Sequence, residues 1–134
     1  MFEPPMTESK GNIVVVEDDP AMNLALQRLL KVAGFRPLAF DSAEDLLEDR
    51  TAAAIADCFI LDVHLTGLSG LELRRRLQER GTDLPTIFIT ADEDPFLNSR
   101  HPTAAFLRKP FSSHRLLIAV REALDRVTEE AKRL

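Results

Sequence analysis

The sequence predicts an α/β fold in which a parallel sheet is covered by helices on both faces. Three observations point to it. Four short apolar runs, at 13–16, 58–61, 86–89 and 104–107, are continuous rather than alternating, as strands buried on both faces require. Amphipathic stretches with helical spacing lie between them. The links are short, and strand alternating with helix leads to parallel pairing.

The elements follow in order. Run 13–16, three of its residues valine, is the first strand. Met22, Ala25, Leu26, Leu29, Leu30 and Ala33 then recur at helical spacing. Pro20 stands near that helix's start, where a missing N–H costs nothing, and Gly34 follows as a stop. A weaker strand is expected at Arg36–Phe40. Ser42 caps a second helix with acids in its first turn, Glu44 and Asp45. Strand three is 58–61. A third helix is expected from about Leu68 to Arg80, closed by Gly81. Strands four and five are 86–89 and 104–107. The fifth helix starts near Ser112-Ser113 and repeats the spacing of the first through Leu116, Ala119, Val120, Ala123, Leu124 and Val127.

A chain of 134 residues suffices for one domain, which buries roughly two-thirds of its unfolded surface. The formal net charge of -5 argues against nucleic acid as a direct partner, a local basic patch excepted. The single cysteine, Cys58, makes no internal disulfide and reads as a small core residue. No apolar run approaches a membrane span, and the first ten residues, acidic and holding Pro4-Pro5, lack the form of a secretory signal. They read as a flexible tail, and a cytoplasmic protein is expected.

In an open parallel sheet the crevice beyond the C-terminal strand ends is the usual ligand site. Strand one delivers Asp18 and Asp19 there, strand three Asp62, strand four Thr90 and strand five Lys109. Clustered carboxylates raise one another's pKa. A hard divalent cation removes that cost, and magnesium needs only one or two carboxylates plus a substrate phosphate.

These residues, in Val16-Glu17-Asp18-Asp19-Pro20, Leu61-Asp62-Val63-His64-Leu65, Gly67-Leu68-Ser69-Gly70, Ile89-Thr90-Ala91 and Lys109-Pro110-Phe111, give the chain a resemblance to the receiver domains of two-component response regulators. The resemblance runs from about 12 to 126. It sets a receiver domain at 12–130 behind a tail at 1–11, and implies a flavodoxin-like sheet of five parallel strands in order 2-1-3-4-5. It further implies that Asp62 accepts a phosphoryl group from the phosphohistidine of a sensor histidine kinase or phosphotransfer protein. Asp19 and Asp62 would ligate Mg²⁺ directly with the backbone carbonyl of His64, and Asp18 through a bound water. Lys109 and Thr90 would hold phosphoryl oxygens. Modification would shift the face made by the fourth helix, fifth strand and fifth helix, with the Phe106 ring swinging inward as Thr90 moves.

The sequence departs from that pattern in two places. Thr66 stands where a proline is usual, a change expected to loosen the loop after strand three. The stretch between Thr90 and Lys109 is about one turn short, with Pro95 and Pro102 bracketing residues 96–101, so the fourth helix is expected to be short or irregular. His64 and Asp92 flank the site as candidates for tuning hydrolysis, or as plain solvated side chains. His101 and His114 read as surface residues, and Arg74-Arg75-Arg76 as a solvated face.

The leading function is a signalling switch rather than a turnover enzyme, catalysing only its own phosphorylation and slow dephosphorylation. It would act through a downstream target protein, an absent output domain or a phosphorylation-dependent homodimer. Two other classes stand beside it. A metal-dependent phosphohydrolase with an aspartyl nucleophile would need its nucleophile on strand one and a cap segment. A phosphorylation-independent binding module would not need all five site residues.

Overall fold

Val14, Val15 and Val16 are β-branched, suit a pleated buried surface, and lie at the centre of a sheet. The computed structural model describes residues 9–91 and 104–133. Its elements are β1 (Asn12–Val16), α1 (Pro20–Val32), β2 (Arg36–Phe40), α2 (Ala43–Glu48), α3 (Arg50–Ile55), β3 (Cys58–Asp62), α4 (Gly70–Glu79), β4 (Thr86–Thr90), β5 (Ala104–Arg108) and α5 (Ser113–Arg133). All pairings are parallel, in the order β2-β1-β3-β4-β5. The expected sheet is therefore found, with all five strands.

Alternate residues of each strand feed two cores. Ile13, Val15, Cys58, Ile60, Ile87 and Ile89 meet Leu26 and Leu30 of α1 and Leu116 and Val120 of α5. Val14, Val16, Phe59, Leu61 and Phe88 meet Leu46 of α2 and Leu73 and Leu77 of α4 on the other face. Each such fully buried aliphatic side chain contributes roughly 1.5–3 kcal/mol. β2 is an edge strand of mixed exposure, and Pro37 is tolerated there; this is why its sequence signal is weak.

The helix ends follow the sequence. Pro20 opens α1, and Gly34, at φ 96°, lies just past its end. Ser42 and Ser69 cap α2 and α4 by accepting the N–H groups of Asp45 and Glu72. The second helical region is broken into α2 and α3 at Asp49. Its N–H closes α2 on Asp45 and Leu46, while its carboxylate accepts the Ala52 N–H and caps α3.

Residue 10 already pairs with the loop before β2, Lys10 N–H donating to the Gly34 carbonyl. The rest of the expected tail at 1–8, and the expected short fourth helix within 92–103, lie outside the described residues. In α4 the buried positions are Gly70, Leu73, Arg74 and Leu77, a single helical stripe. Arg74 is thus buried, its guanidinium 5.8 Å from the Phe88 ring centre, and does not belong to the solvated face expected of the arginine run. Arg75 and Arg76 are exposed and pair with Glu72.

Gly70 lets α4 start directly beneath the end of β3. A Cβ there would lie 2.2 Å from the Asp62 carbonyl oxygen, a backbone atom that cannot turn away. Gly81, at φ 90°, has nothing within 4 Å of such a Cβ. Gly70→Ala is therefore expected to cost about 3 kcal/mol or more of unfolding free energy. Gly81→Ala should cost only the left-handed backbone penalty of about 1–2 kcal/mol. Urea titration of both variants checks the difference, and equal losses would contradict the close approach.

Candidate functional site

The ends of β1, β3 and β4 are adjacent because the strands pair in parallel register, Val16 with Leu61 and Asp62 with Ile89. Backbone bonds continue the ladder one residue past each end. Glu17 N–H donates to Phe40 O, Val63 N–H to Ile89 O, and Lys109 N–H to Thr90 O. The Asn23 amide of α1 donates to the carbonyls of both Glu17 and Phe40, at 2.9 Å each, and so ties the helix to the rim. Side chains leaving these positions are held by backbone fixed on both sides.

Lys109 Nζ lies 3.0 Å from Glu17 Oε1 and 3.0 Å from Asp62 Oδ2. Glu17 and Asp62 are nearly inaccessible, at 1% and 4%, as is Thr90 at 3%. The remaining oxygen of Asp62, Oδ1, accepts the His64 N–H at 2.8 Å. Burial and the neighbouring Asp62 push the Glu17 carboxyl up to about 7 against the pull of Lys109. Burial also acts to raise Asp62, but hydrogen bonds from Glu17, Lys109 and the His64 N–H outweigh it and hold Asp62 below the usual carboxylate range. Burial works against the Lys109 ammonium, and its two acids more than compensate, raising it.

Of the residues expected here, Asp62 and Lys109 are brought into contact, and Thr90 is buried at the neighbouring strand end. The acids need a shift of one residue. Ligand oxygens of Glu17, Asp18 and Asp62 lie within 4.8 Å of one another, and Asp19 is not among them. Asp19, expected as a direct metal ligand, caps α1 instead: its backbone is extended and Oδ1 accepts the Ala21 N–H at 3.3 Å. The helix starting at Pro20 claims the residue before it as its N-cap. Glu17 was the site residue missed. Its signal was position, since it directly follows Val16, the last residue of β1. Asp18 Oδ2 accepts both the N–H and the hydroxyl of Thr66, which lower its pKa. The loop after β3 is therefore anchored at the position expected to loosen it.

Three carboxylates against one ammonium form an oxygen-only donor set with excess negative charge, which fits a hard divalent cation such as Mg²⁺. Among the other candidates, His114 is exposed, and Asp92 and His101 lie outside the described residues. Cys58 is buried, with its thiol pushed up to about 12 by burial. The Phe106 ring, half-buried, stacks on Phe88 with centroids 5.1 Å apart.

Comparison with known proteins identifies the family and the fold. A family model for the response regulator receiver domain matches residues 13–121. Nodulation protein W of Bradyrhizobium diazoefficiens is 38% identical over 130 residues, covering 93% of this chain and 57% of that protein. Response regulator protein TmoT of Ectopseudomonas mendocina is 38% identical over 122 residues, covering 89% and 55%. The chain therefore spans little more than half of those relatives. Among solved structures, that of response regulator StyR superposes with a TM-score of 0.79 at 35% identity, over 90% of this chain and 62% of that one.

The charges predict a pH profile for the metal-free domain. Glu17 has a folded-state pKa of about 7, above its ordinary 4.5. The folded chain therefore keeps a proton that the unfolded chain has released, and this stabilisation is lost as pH rises from 4.5 through about 7. Asp18 and Asp62 are depressed below 3.8, so their contribution is lost only on the acid side. Thermal melts in chelator should show stability falling between about pH 5 and about pH 8, by up to about 3 kcal/mol. Glu17→Gln should remove most of that slope, and an equally steep slope in the variant would rule out this origin.

Proposed function

The chain belongs to the response regulator receiver domain family, and from that premise we propose that it is a phosphoryl-accepting signalling switch with Asp62 as the acceptor. The observation that supports it best is the Lys109 bridge, which joins Glu17 and Asp62 from sites 92 and 47 residues away in sequence. A buried aspartate at a strand end, kept ionised and oriented through both oxygens, is prepared to act as a nucleophile.

The donor is a phosphohistidine on a sensor histidine kinase or phosphotransfer protein. An Asp62 oxygen attacks phosphorus in line, a P–O bond forms and the P–N bond breaks. The imidazole leaves with the electron pair, and the product is a mixed anhydride. Because the His64 N–H holds Oδ1, Oδ2 is the attacking oxygen, and Lys109 moves from it onto a phosphoryl oxygen. Thr90 takes another phosphoryl oxygen. Glu17, Asp18 and Asp62, with the His64 carbonyl, would hold Mg²⁺. When bound, the ion neutralises charge that would otherwise repel the incoming group. Ala91, small and exposed beside Thr90, leaves room for the donor ring.

The domain does not turn over substrate; it catalyses its own modification and its slow reversal. Modification biases the face that includes β5 and α5, where Phe106 stacks on Phe88. A downstream target protein, a linked output domain or a second copy reads that face. No described helix is long and apolar enough to cross a membrane, and the cytoplasm is the expected compartment.

Intact mass spectrometry tests the reading. Incubation with acetyl phosphate and magnesium should add one phosphoryl group to the wild-type chain and none to Asp62→Asn. Chelator should abolish the adduct, and Lys109→Ala should slow its formation about 100-fold or more, the loss typical of removing one charge-stabilising group. Equal labelling of wild type and Asp62→Asn would defeat the assignment.

A further inference from the structure

Thr66 reaches Asp18 from 48 residues away and donates twice to the same oxygen: its N–H lies 3.0 Å and its hydroxyl 2.9 Å from Oδ2. Asp18 Oδ1 receives neither bond. The loop that presents Thr66 is itself held. The next residue, Gly67, has φ 84°, Leu68 N–H donates to Glu44 Oε2 at 3.3 Å, and Gly70 N–H donates to Val63 O. Thr66 is exposed and Asp18 only half-buried, so a pair of bonds there adds little to the core.

Its effect lies in orientation. Asp18 shares a 4.8 Å cluster with Glu17 and Asp62, and unlike those two it has no contact with Lys109. Repulsion from its neighbours would turn a freely rotating Asp18 toward solvent. Two donors on Oδ2 oppose that rotation and leave Oδ1 available to a cation. A proline at this position could supply neither bond, because it has no N–H and no hydroxyl.

We propose that Thr66 is a positioning residue for the cation site, holding Oδ2 of Asp18 so that Oδ1 is left to meet the ion. The proposal rests on the reading of Glu17, Asp18 and Asp62 as magnesium ligands. Outer partners of this kind, hydrogen-bonded to a ligating carboxylate, typically change metal affinity by about 10–100-fold. Thr66 therefore sets how much magnesium the domain needs, a property read without any phosphoryl donor.

Titration calorimetry of the unphosphorylated domain with magnesium chloride alone is the test, on wild type, Thr66→Val and Thr66→Ser. Valine keeps the N–H and the shape but loses the hydroxyl, and should weaken binding about tenfold. Serine restores the hydroxyl and should bind within about twofold of wild type. Urea midpoints in chelator should coincide for all three, separating orientation from stability. Unchanged or tighter binding by the valine variant would overturn the role of Thr66 while leaving the magnesium reading intact. Failure of the wild-type domain to bind magnesium would overturn both.

Discussion

One ammonium against three carboxylates is the constraint around which the molecule is arranged. Lys109 lies within 3.0 Å of both Glu17 and Asp62, and Asp18 lies in the same cluster without it. An opposite charge at 4 Å is worth on the order of 4 kcal/mol at a surface-like dielectric, enough to keep one buried carboxylate ionised but not to neutralise three. The shortfall appears at Glu17, which is driven to about 7 because it is buried beside Asp62. The cluster thus holds its excess charge partly as a proton, and a divalent cation would compete with that proton directly.

Holding Lys109 there depends on the whole sheet. Its two acids come from the ends of β1 and β3, and it follows β5 at the opposite side of the sheet from β2. A slip of one residue in any of these strands would turn the side chain to the other face. The burial of β3 and β4 on both faces guards against such a slip, since their apolar residues alternate between two differently packed cores. Gly70 contributes from below by letting α4 begin against the Asp62 carbonyl. Asp62 is therefore braced through its backbone as well as its side chain.

Much of this was readable in the sequence, and the failures have physical causes. Continuous apolar runs located four strands, and the capping residues Pro20, Ser42 and Gly34 located helix ends, because these signals are local. Asp62 and Lys109 were readable as polar residues closing apolar runs. The acids after β1 were not, since three in a row look equivalent until the start of α1 decides which one must cap it. Arg74 was misread because its identity says exposed while its place in the stripe with Gly70 and Leu77 says buried, and the stripe prevailed. The Asp49 break between α2 and α3 depends on one carboxylate capping in the middle of a helical stretch. Thr66 could be recognised as unusual, but its bonds to Asp18 join distant residues and leave no local trace.

The same geometry indicates how modification at Asp62 would be felt elsewhere. A ligand shifts an equilibrium only by its differential affinity for the two states, and moving a population from 1:99 to 99:1 takes about 5.5 kcal/mol. On the proposed mechanism, a phosphoryl group on Asp62 would offer Lys109 a partner carrying close to two charges, and Glu17 would lose compensation as Lys109 turns to it. Thr90, buried beside this exchange, pairs with Arg108 in the β4–β5 ladder, and Phe88 pairs with Phe106 two residues earlier on the same two strands. Those two rings are stacked, and the Arg74 guanidinium lies over Phe88. A displacement of Thr90 would therefore strain a ladder whose next rung on the same face is an aromatic stack. A packed pair of rings yields by changing arrangement rather than by gradual compression. That property would convert a change of charge at Asp62 into a change of shape at Phe106.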